Sequence, residues 1–322
     1  MILIFGGNGY VGGAFGRYFE RASLPYRLLS RRDVDCARSA SVRNLLKESR
    51  PEFVINCAGY TGKPNVDACE AHKAECLEGN AVLPAVLREV LREFDIPWGH
   101  VSSGCIFTGH RQLSRELTLE GFREEDAPNF SFRQNNCSFY SGTKALGEEA
   151  LGYHEEKVGT DPALRWVGDA DPEFYIWRLR IPFSEVDSSR NYLSKLMRYR
   201  KLLEVRNSLS QLDEFVRSCW ECWEHKVPRG IYNVTNPGSV TTREVTELIL
   251  AESAKRKRCG EISLFPEKFD FFQNEEEFMR VAVTTPRSSC VLDCSKLNAT
   301  GIRMTPVAEA IEKALGEWRA ES

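Results

Sequence analysis

No apolar run in the 322-residue chain approaches the ~20 residues that a membrane-spanning helix needs, so no membrane partner is expected. Basic excess is missing too. The 43 Lys and Arg stand against 46 Asp and Glu, a net charge of −3, and a nucleic-acid partner is not expected. Internal repeats and low-complexity tracts are absent, which removes solenoid and disordered classes. The chain opens on the strand-like "MILIFGG", so no signal peptide is expected and the cytoplasm is the expected compartment. The eleven cysteines are odd in number and irregularly spaced, a poor pattern for a disulfide framework. Cys219 and Cys222 form a CxxC pair with no second pair at zinc-ribbon spacing, in an amphipathic stretch, and no metal is expected there.

What remains is an ordinary globular composition, 42% hydrophobic and 28% charged, in a chain long enough for one large domain or two smaller ones. Through the first half, short apolar runs alternate with helical patterns: "ILIF", "YVGGAFGRYFERA", "YRLLS", a helix near Ser39 to Glu48, "FVINCAG", a helix from about Ala71 to Phe94, and "GHVSSGCIF". That alternation predicts βαβ units on a parallel sheet. Later, "FYIWRLRIP" and "GIYNV" read as strands, and "VTTREVTELILAESAKRK" and "PVAEAIEKALGEWRA" as helices. The polar, Pro- and Gly-marked stretch from Tyr153 to Glu173 reads as a surface excursion. The expected fold class is α/β, a Rossmann-like doubly wound parallel sheet with a smaller C-terminal substrate domain. The expected boundaries are residues 1–181 for the nucleotide-binding part and 182–322 for the substrate part, with about 205–236 returning to the first.

Four groups of residues carry chemistry. In "FGGNGYVGG", between the first strand and first helix, Gly6, Gly9 and Gly12 permit a tight turn and close approach of a pyrophosphate to the helix N-terminus. Tyr10 and Val11 complete that expected cofactor loop. After the second strand, "LLSRRD" offers Arg31 and Arg32 to the 2′-phosphate of NADPH, while Asp33 keeps NADH open. "VSSGCIF" ends a strand with Ser103 and Cys105, which fall on one side of it. "FYSGTKALGEE" places Tyr140 and Lys144 at i and i+4 on one helix face, where an ammonium beside a phenol lowers the tyrosine pKa from about 10. Ser103 is positioned to hold a substrate oxygen at the same point.

These segments, with "NCAGYTGKPNVDACEAHKAE", "GFREEDAPNF", "RLRIPF", "SRNYLSKLMRY", "NVTNPGSVTTREV" and "PRSSCVLDCSKL", cover about two-thirds of the chain. Together they resemble the extended short-chain dehydrogenases/reductases of the dTDP-4-dehydrorhamnose reductase group, above all the UDP-4-keto-6-deoxyglucose 3,5-epimerase/4-reductases. The Tyr153–Glu173 stretch and "RQNNC" look like insertions relative to that family. The resemblance implies Ser103, Tyr140 and Lys144 as the catalytic set, with Asn80 near the cofactor and Ala58 and Gly59 on its nicotinamide side. It implies Cys105 as the acid–base group that inverts the carbons beside the C4 ketone, partnered by Lys195. Dedicated reductases carry tyrosine at the position of Cys105. Gly104, Arg190 and Asn191 would line the sugar-nucleotide cleft, and Arg287 would take the substrate pyrophosphate. The implied partner is a UDP- or dTDP-linked sugar nucleotide, with a homodimer left open. The implied activity is that of an NAD(P)H-dependent 3,5-epimerase/4-reductase of rhamnose-type sugars. A 4-reductase without epimerase activity and a non-catalytic cofactor-binding subunit are the alternatives.

Overall fold

The computed structural model describes residues 1–111, 119–159, 163–169, 172–260 and 265–320. The first part alternates as expected: β1 (Ile2–Phe5), α1 (Tyr10–Arg21), β2 (Tyr26–Leu29), α2 (Ser39–Ser49) and β3 (Phe53–Asn56). Then come α3 (Ala68–Ala71), α4 (Lys73–Leu77), α5 (Leu83–Glu93), β4 (Trp98–Ser103) and α6 (Phe139–Ala150). A short pair follows, β5 (His154–Lys157) and β6 (Leu164–Val167), before β7 (Phe174–Leu179) and β8 (Pro182–Phe183). The remainder comprises α7 (Tyr192–Arg198), β9 (Arg206–Asn207), β10 (Ser210–Gln211), α8 (Leu212–Glu224), β11 (Gly230–Asn233), β12 (Val240–Thr241), α9 (Thr242–Arg258), α10 (Glu275–Val281), α11 (Ser295–Ala299) and α12 (Val307–Gly316).

Among the described residues, six strands form one sheet in the order β11-β7-β4-β3-β1-β2. Every pairing in it is parallel. Parallel sheets need both faces covered, and the strand sequences meet that need with apolar residues at odd and even positions alike. Ile2, Ile4, Phe53, Ile55, Tyr175 and Trp177 pack on one face with Phe15 and Phe19 of α1 and Phe215 and Cys219 of α8. Leu3, Phe5, Val54 and Ile176 pack on the other with Leu45 of α2 and Leu87 and Leu91 of α5. After β7 the chain leaves the sheet and returns, because α8 packs on α1 and β11 pairs with β7. A separate core joins Phe183, Leu193, Val245, Ile249, Ile311 and Leu315, from β8, α7, α9 and α12. The crevice therefore opens above the carboxyl ends of β1, β3, β4 and β7, beside that second core.

Two expectations need correction. The helix expected over Ala71–Phe94 is interrupted by a π-helical turn at Glu78–Val82. Such turns add a residue and re-aim the side chains that follow; here Asn80 is turned fully inward. The Tyr153–Glu173 stretch is not a bare excursion, since β5 and β6 pair antiparallel within it. Buried Trp166 of β6 donates its indole N–H to Glu148 of α6 at 3.0 Å, which fixes the pair to the body. Residues 160–162 and 170–171 of that stretch lie outside the described residues.

Candidate active site

The glycine loop ends β1 with Gly6 at φ +75°, a conformation that L side chains rarely adopt, and a Cβ there would lie 2.6 Å from the Ala58 nitrogen. A Cβ on Gly12 would lie 2.3 Å from the Gly6 carbonyl oxygen, so the loop closes tightly on α1 only with glycine at both places. Gly9 precedes α1 with no side-chain cap, and the first turn holds no acidic residue. The N–H groups of Tyr10, Val11 and Gly12 thus carry the positive end of the helix dipole toward the crevice, an arrangement that fits a dinucleotide pyrophosphate. The Tyr10 ring reaches across instead, its hydroxyl 3.1 Å from Ser184.

At the end of β2, Asp33 folds back to accept from the Ser30 amide at 2.8 Å and the Ser30 hydroxyl at 2.6 Å. Its carboxylate is committed to that turn. Arg31 and Arg32 are exposed and form no ion pair among the described residues. At the end of β3, Ala58 and exposed Gly59 leave bare backbone facing the crevice, and a Cβ on Gly59 would lie 3.4 Å from the Lys144 Nζ. The Asn80 amide is fully buried and bonded to the Tyr60 amide and carbonyl, both at 2.9 Å, and to the Thr143 hydroxyl at 3.1 Å. Asn80 ties the β3 loop to α6 from directly behind Gly59, where a Cβ would lie 2.9 Å from its Oδ1. It supports the expected nicotinamide side, and its own polar atoms are taken up by protein partners.

Around β4 the side chains expected to be catalytic meet. Ser103 ends the strand, and its hydroxyl accepts from the Cys105 amide at 3.2 Å. The Ser103 hydroxyl also favours the ionised forms of Tyr140 and Cys105, and the Ser141 hydroxyl of α6 favours that of Cys105. Ser138 caps α6, and Glu70 of α3 accepts the Phe139 amide at 2.7 Å, so the "DACEA" segment holds the helix start that carries Tyr140.

The electrostatics reverse the sequence expectation. Burial dominates and pushes Tyr140 well above the usual value of 10.0, although the Ser103 hydrogen bond opposes it. Burial pulls Lys144 below the usual 10.5, against the opposing pull of Cys105, Cys76 and Glu148. The cation does not lower the tyrosine here because both groups have lost water, and each retreats toward its neutral form. Burial also pushes the Cys105 thiol up, with Ser103, Lys144, Arg180 and Ser141 opposing it.

Behind this set lies a buried network that the sequence reading passed over. Glu148 and Arg178 are both fully buried and pair through two bonds, 3.0 and 2.7 Å. Glu148 also accepts from Ser102 at 2.7 Å. The signal was present: charged residues within the apolar run "FYIWRLRIP" are anomalous, and Glu148 lies i+4 from Lys144.

The C-terminal candidates divide. Gly104 is buried against Leu292 and Arg180. Arg190 reaches the cleft wall, donating to the Thr61 hydroxyl at 3.0 Å. Arg287 pairs with Asp67 at 2.7 Å and bonds Thr285 at 2.8 Å. Both arginines therefore clasp the loop that follows β3. Asn191 is a correction: fully buried, it caps α7 at Leu193 and donates to the Ser184 and Val186 carbonyls, both at 2.7 Å, with nothing left for a ligand. Burial, then Arg190, lowers the proton affinity of Lys195. Cys219 and Cys222 are fully buried in α8, and among the described residues no cluster of three or more His, Cys, Asp or Glu is suited to a metal. No helix among them is long and apolar enough to cross a membrane.

Residues 1–159 match the family model of the RmlD substrate binding domain. The chain is 31% identical over 319 residues to the bifunctional dTDP-4-dehydrorhamnose 3,5-epimerase/dTDP-4-dehydrorhamnose reductase of Arabidopsis thaliana, covering 98% of this chain and 92% of that protein. It is 32% identical over 316 residues to the trifunctional UDP-glucose 4,6-dehydratase/UDP-4-keto-6-deoxy-D-glucose 3,5-epimerase/UDP-4-keto-L-rhamnose-reductase RHM3 of the same plant, covering 98% of this chain but only 42% of that longer protein. In three dimensions it superposes on the L780 UDP-rhamnose synthase from Acanthamoeba polyphaga mimivirus with a TM-score of 0.80 and 21% identity, covering 98% of both chains. That last likeness speaks for the fold.

Proposed function

The chain belongs to the dTDP-4-dehydrorhamnose reductase family of extended short-chain dehydrogenases, and we propose that it is an NADPH-dependent 3,5-epimerase/4-reductase of a nucleoside-diphosphate 4-keto-6-deoxyhexose. The observation that carries this reading is the meeting of Ser103, Cys105, Tyr140 and Lys144 at the end of β4. The uncapped N-terminus of α1 with its glycines would hold the cofactor pyrophosphate, Arg31 and Arg32 its 2′-phosphate, and Ala58, Gly59 and Lys144 its nicotinamide end. Bound there, the reduced cofactor supplies hydride to the C4 carbonyl.

This chain's own residues supply the protons. Tyr140, held protonated by burial, donates its phenolic proton to the C4 oxygen as negative charge grows there, and Ser103 holds that oxygen by a second hydrogen bond. Lys144, one helical turn on, places a positive charge beside the phenolate that remains. Before reduction, the C4 ketone acidifies the protons on C3 and C5. Cys105, in the turn that follows Ser103, removes one of them as the thiolate or returns it as the thiol. Arg190 and Arg287 stand at the loop after β3, where a sugar nucleotide entering the crevice meets its first positive charge.

A 4-reductase without epimerase activity is the second reading, favoured by burial, which pushes the Cys105 thiol up and away from its ionised form. Incubation with UDP- and dTDP-4-keto-6-deoxyglucose and NADPH in D2O, followed by NMR of the sugar, separates the two. Deuterium at C3 and C5 of a rhamnose-type product, lost in Cys105→Ala, is the expected result. Reduction without deuterium leaves the simpler reductase.

A further inference from the structure

Two arginines stand two residues apart at the end of β7, and the fold treats them differently. Arg178 is neutralised by Glu148. Arg180, only 4% exposed, has no carboxylate partner among the described residues. Its Nη2 donates to Asn207 Oδ1 and, at 2.7 Å, to the Ser288 carbonyl, while its Nε is buried with no acceptor. Burying a guanidinium without a counter-charge is costly, and arginine cannot escape by losing its proton. An anion arriving beside it would recover that cost.

Two thiols, Cys105 and Cys290, lie beside Arg180. The Arg180 side chain lies along the Gly104–Cys105 turn, its Cδ 3.4 Å from where a Gly104 Cβ would be. Cys290 closes the other side, donating its thiol to the Gly104 carbonyl at 3.2 Å, and its amide shares the Asn207 oxygen with Arg180. We propose that Arg180 is a positioning residue that supplies the counter-charge for ionised Cys105 and so sustains proton exchange beside the C4 ketone. This rests on the reading of Cys105 as the proton-exchanging group.

The other groups facing that thiol do not replace it. Ser103 and Ser141 are neutral hydroxyls, and Tyr140, Cys69, Cys137 and Cys290 oppose a thiolate when charged. Lys144 acts on the thiol more strongly than Arg180 does, but it stands one helical turn from Tyr140 and its charge is shared with that phenol, whereas Arg180 has no other anion to serve among the described residues. Arg180 is held in place by Asn207 and Ser288.

The test reads the thiol directly. The full chain is treated with iodoacetamide across a pH series, where the thiolate displaces iodide to form an S–C bond, and alkylation of the Cys105 peptide is quantified by mass spectrometry. Arg180→Gln is expected to raise the alkylation midpoint by about one pH unit or more, and Arg180→Lys to bring it back toward wild type. Asn207→Asp, nearly isosteric, sets a carboxylate on Arg180 and is expected to raise the midpoint as well, which keeps the test available if Arg180→Gln fails to fold. Unchanged midpoints in Arg180→Gln or Asn207→Asp overturn the proposal. In D2O, Arg180→Gln is expected to lose sugar deuteration at least tenfold more than it loses reduction, whereas equal losses overturn the proposal. If the wild type itself shows no deuteration, the epimerase reading fails, and the alkylation midpoints alone decide the Arg180–Cys105 coupling.

Discussion

Tyr140 and Lys144 stand one helical turn apart, and desolvation moves them in opposite directions. The sign of the resulting pH dependence follows. Tyr140 is raised, so the proton it donates is present across the neutral range and sets no limb there. Lys144 is lowered, so its cation is present at low pH and is lost at a lower pH than in an ordinary lysine. The kcat/KM for reduction is therefore expected to fall on an alkaline limb whose midpoint lies below 10.5, the usual lysine value. A pH–rate series checks it, and a limb at or above that value contradicts it. Tyr140→Phe removes the donor without emptying its volume. Reduction is expected to drop by about 10²–10⁴-fold, while NADPH binding, followed by fluorescence titration, persists.

At the scale of elements, α6 is held to the sheet by charge. Glu148 receives Arg178 of β7, Ser102 of β4 and Trp166 of β6, so one carboxylate fixes the catalytic helix to two sheet strands and to the β5–β6 pair. Glu148→Gln leaves Arg178 buried and without its counter-charge, and the expected cost is about 3–5 kcal/mol, read from denaturant unfolding. Replacing both, as in Glu148→Met with Arg178→Leu, is expected to cost less than the Glu148 change alone, because no lone charge remains. Strictly additive losses would falsify the charge argument. The π-helical turn works on the same helix from the other side: its Asn80 joins the Tyr60 backbone to Thr143, and Thr143 in turn donates to the Tyr140 carbonyl at 2.8 Å.

At the scale of the molecule, the loop after β3 is clasped by segments more than a hundred residues away. Arg190 holds Thr61, and Arg287, Thr285 and Thr284 hold Asp67. Burial by itself raises the Asp67 carboxyl, but the hydrogen bonds from Arg287, Thr285 and Thr284 outweigh it and keep it below the usual 3.8. A lowered carboxylate contributes stability that is present above its unfolded value and fades as pH falls through its folded one, so the clasp loosens in acid and not in base. Asp67→Asn is expected to loosen it at neutral pH by about 1.5–3 kcal/mol. Hydrogen exchange across residues 61–68 reads this as at least tenfold faster opening, and unchanged protection contradicts it. Arg287→Gln is expected to show the same loosening together with a raised KM for the sugar nucleotide.

What the sequence determined by itself was set by local spacing. The glycines of residues 6–12, Ser103 and Cys105 at a strand end, and Tyr140 and Lys144 at i and i+4 were legible because the periods of strand and helix decide which side chains share a face. The parallel sheet was legible for the same reason, from apolar runs alternating with amphipathic ones. Only the tertiary structure decided what surrounds those groups. Asn80 read as near the cofactor and Asn191 as lining the sugar-nucleotide cleft, yet the polar atoms of both are taken up by protein partners, because a π-helical turn and a helix cap took them inward. Two buried cations, Lys144 and Arg180, act on Cys105, and burial overrode the charge effect expected at Tyr140. Those outcomes depend on how much water remains around a group and on which distant segments displace it, and no short-range pattern encodes either.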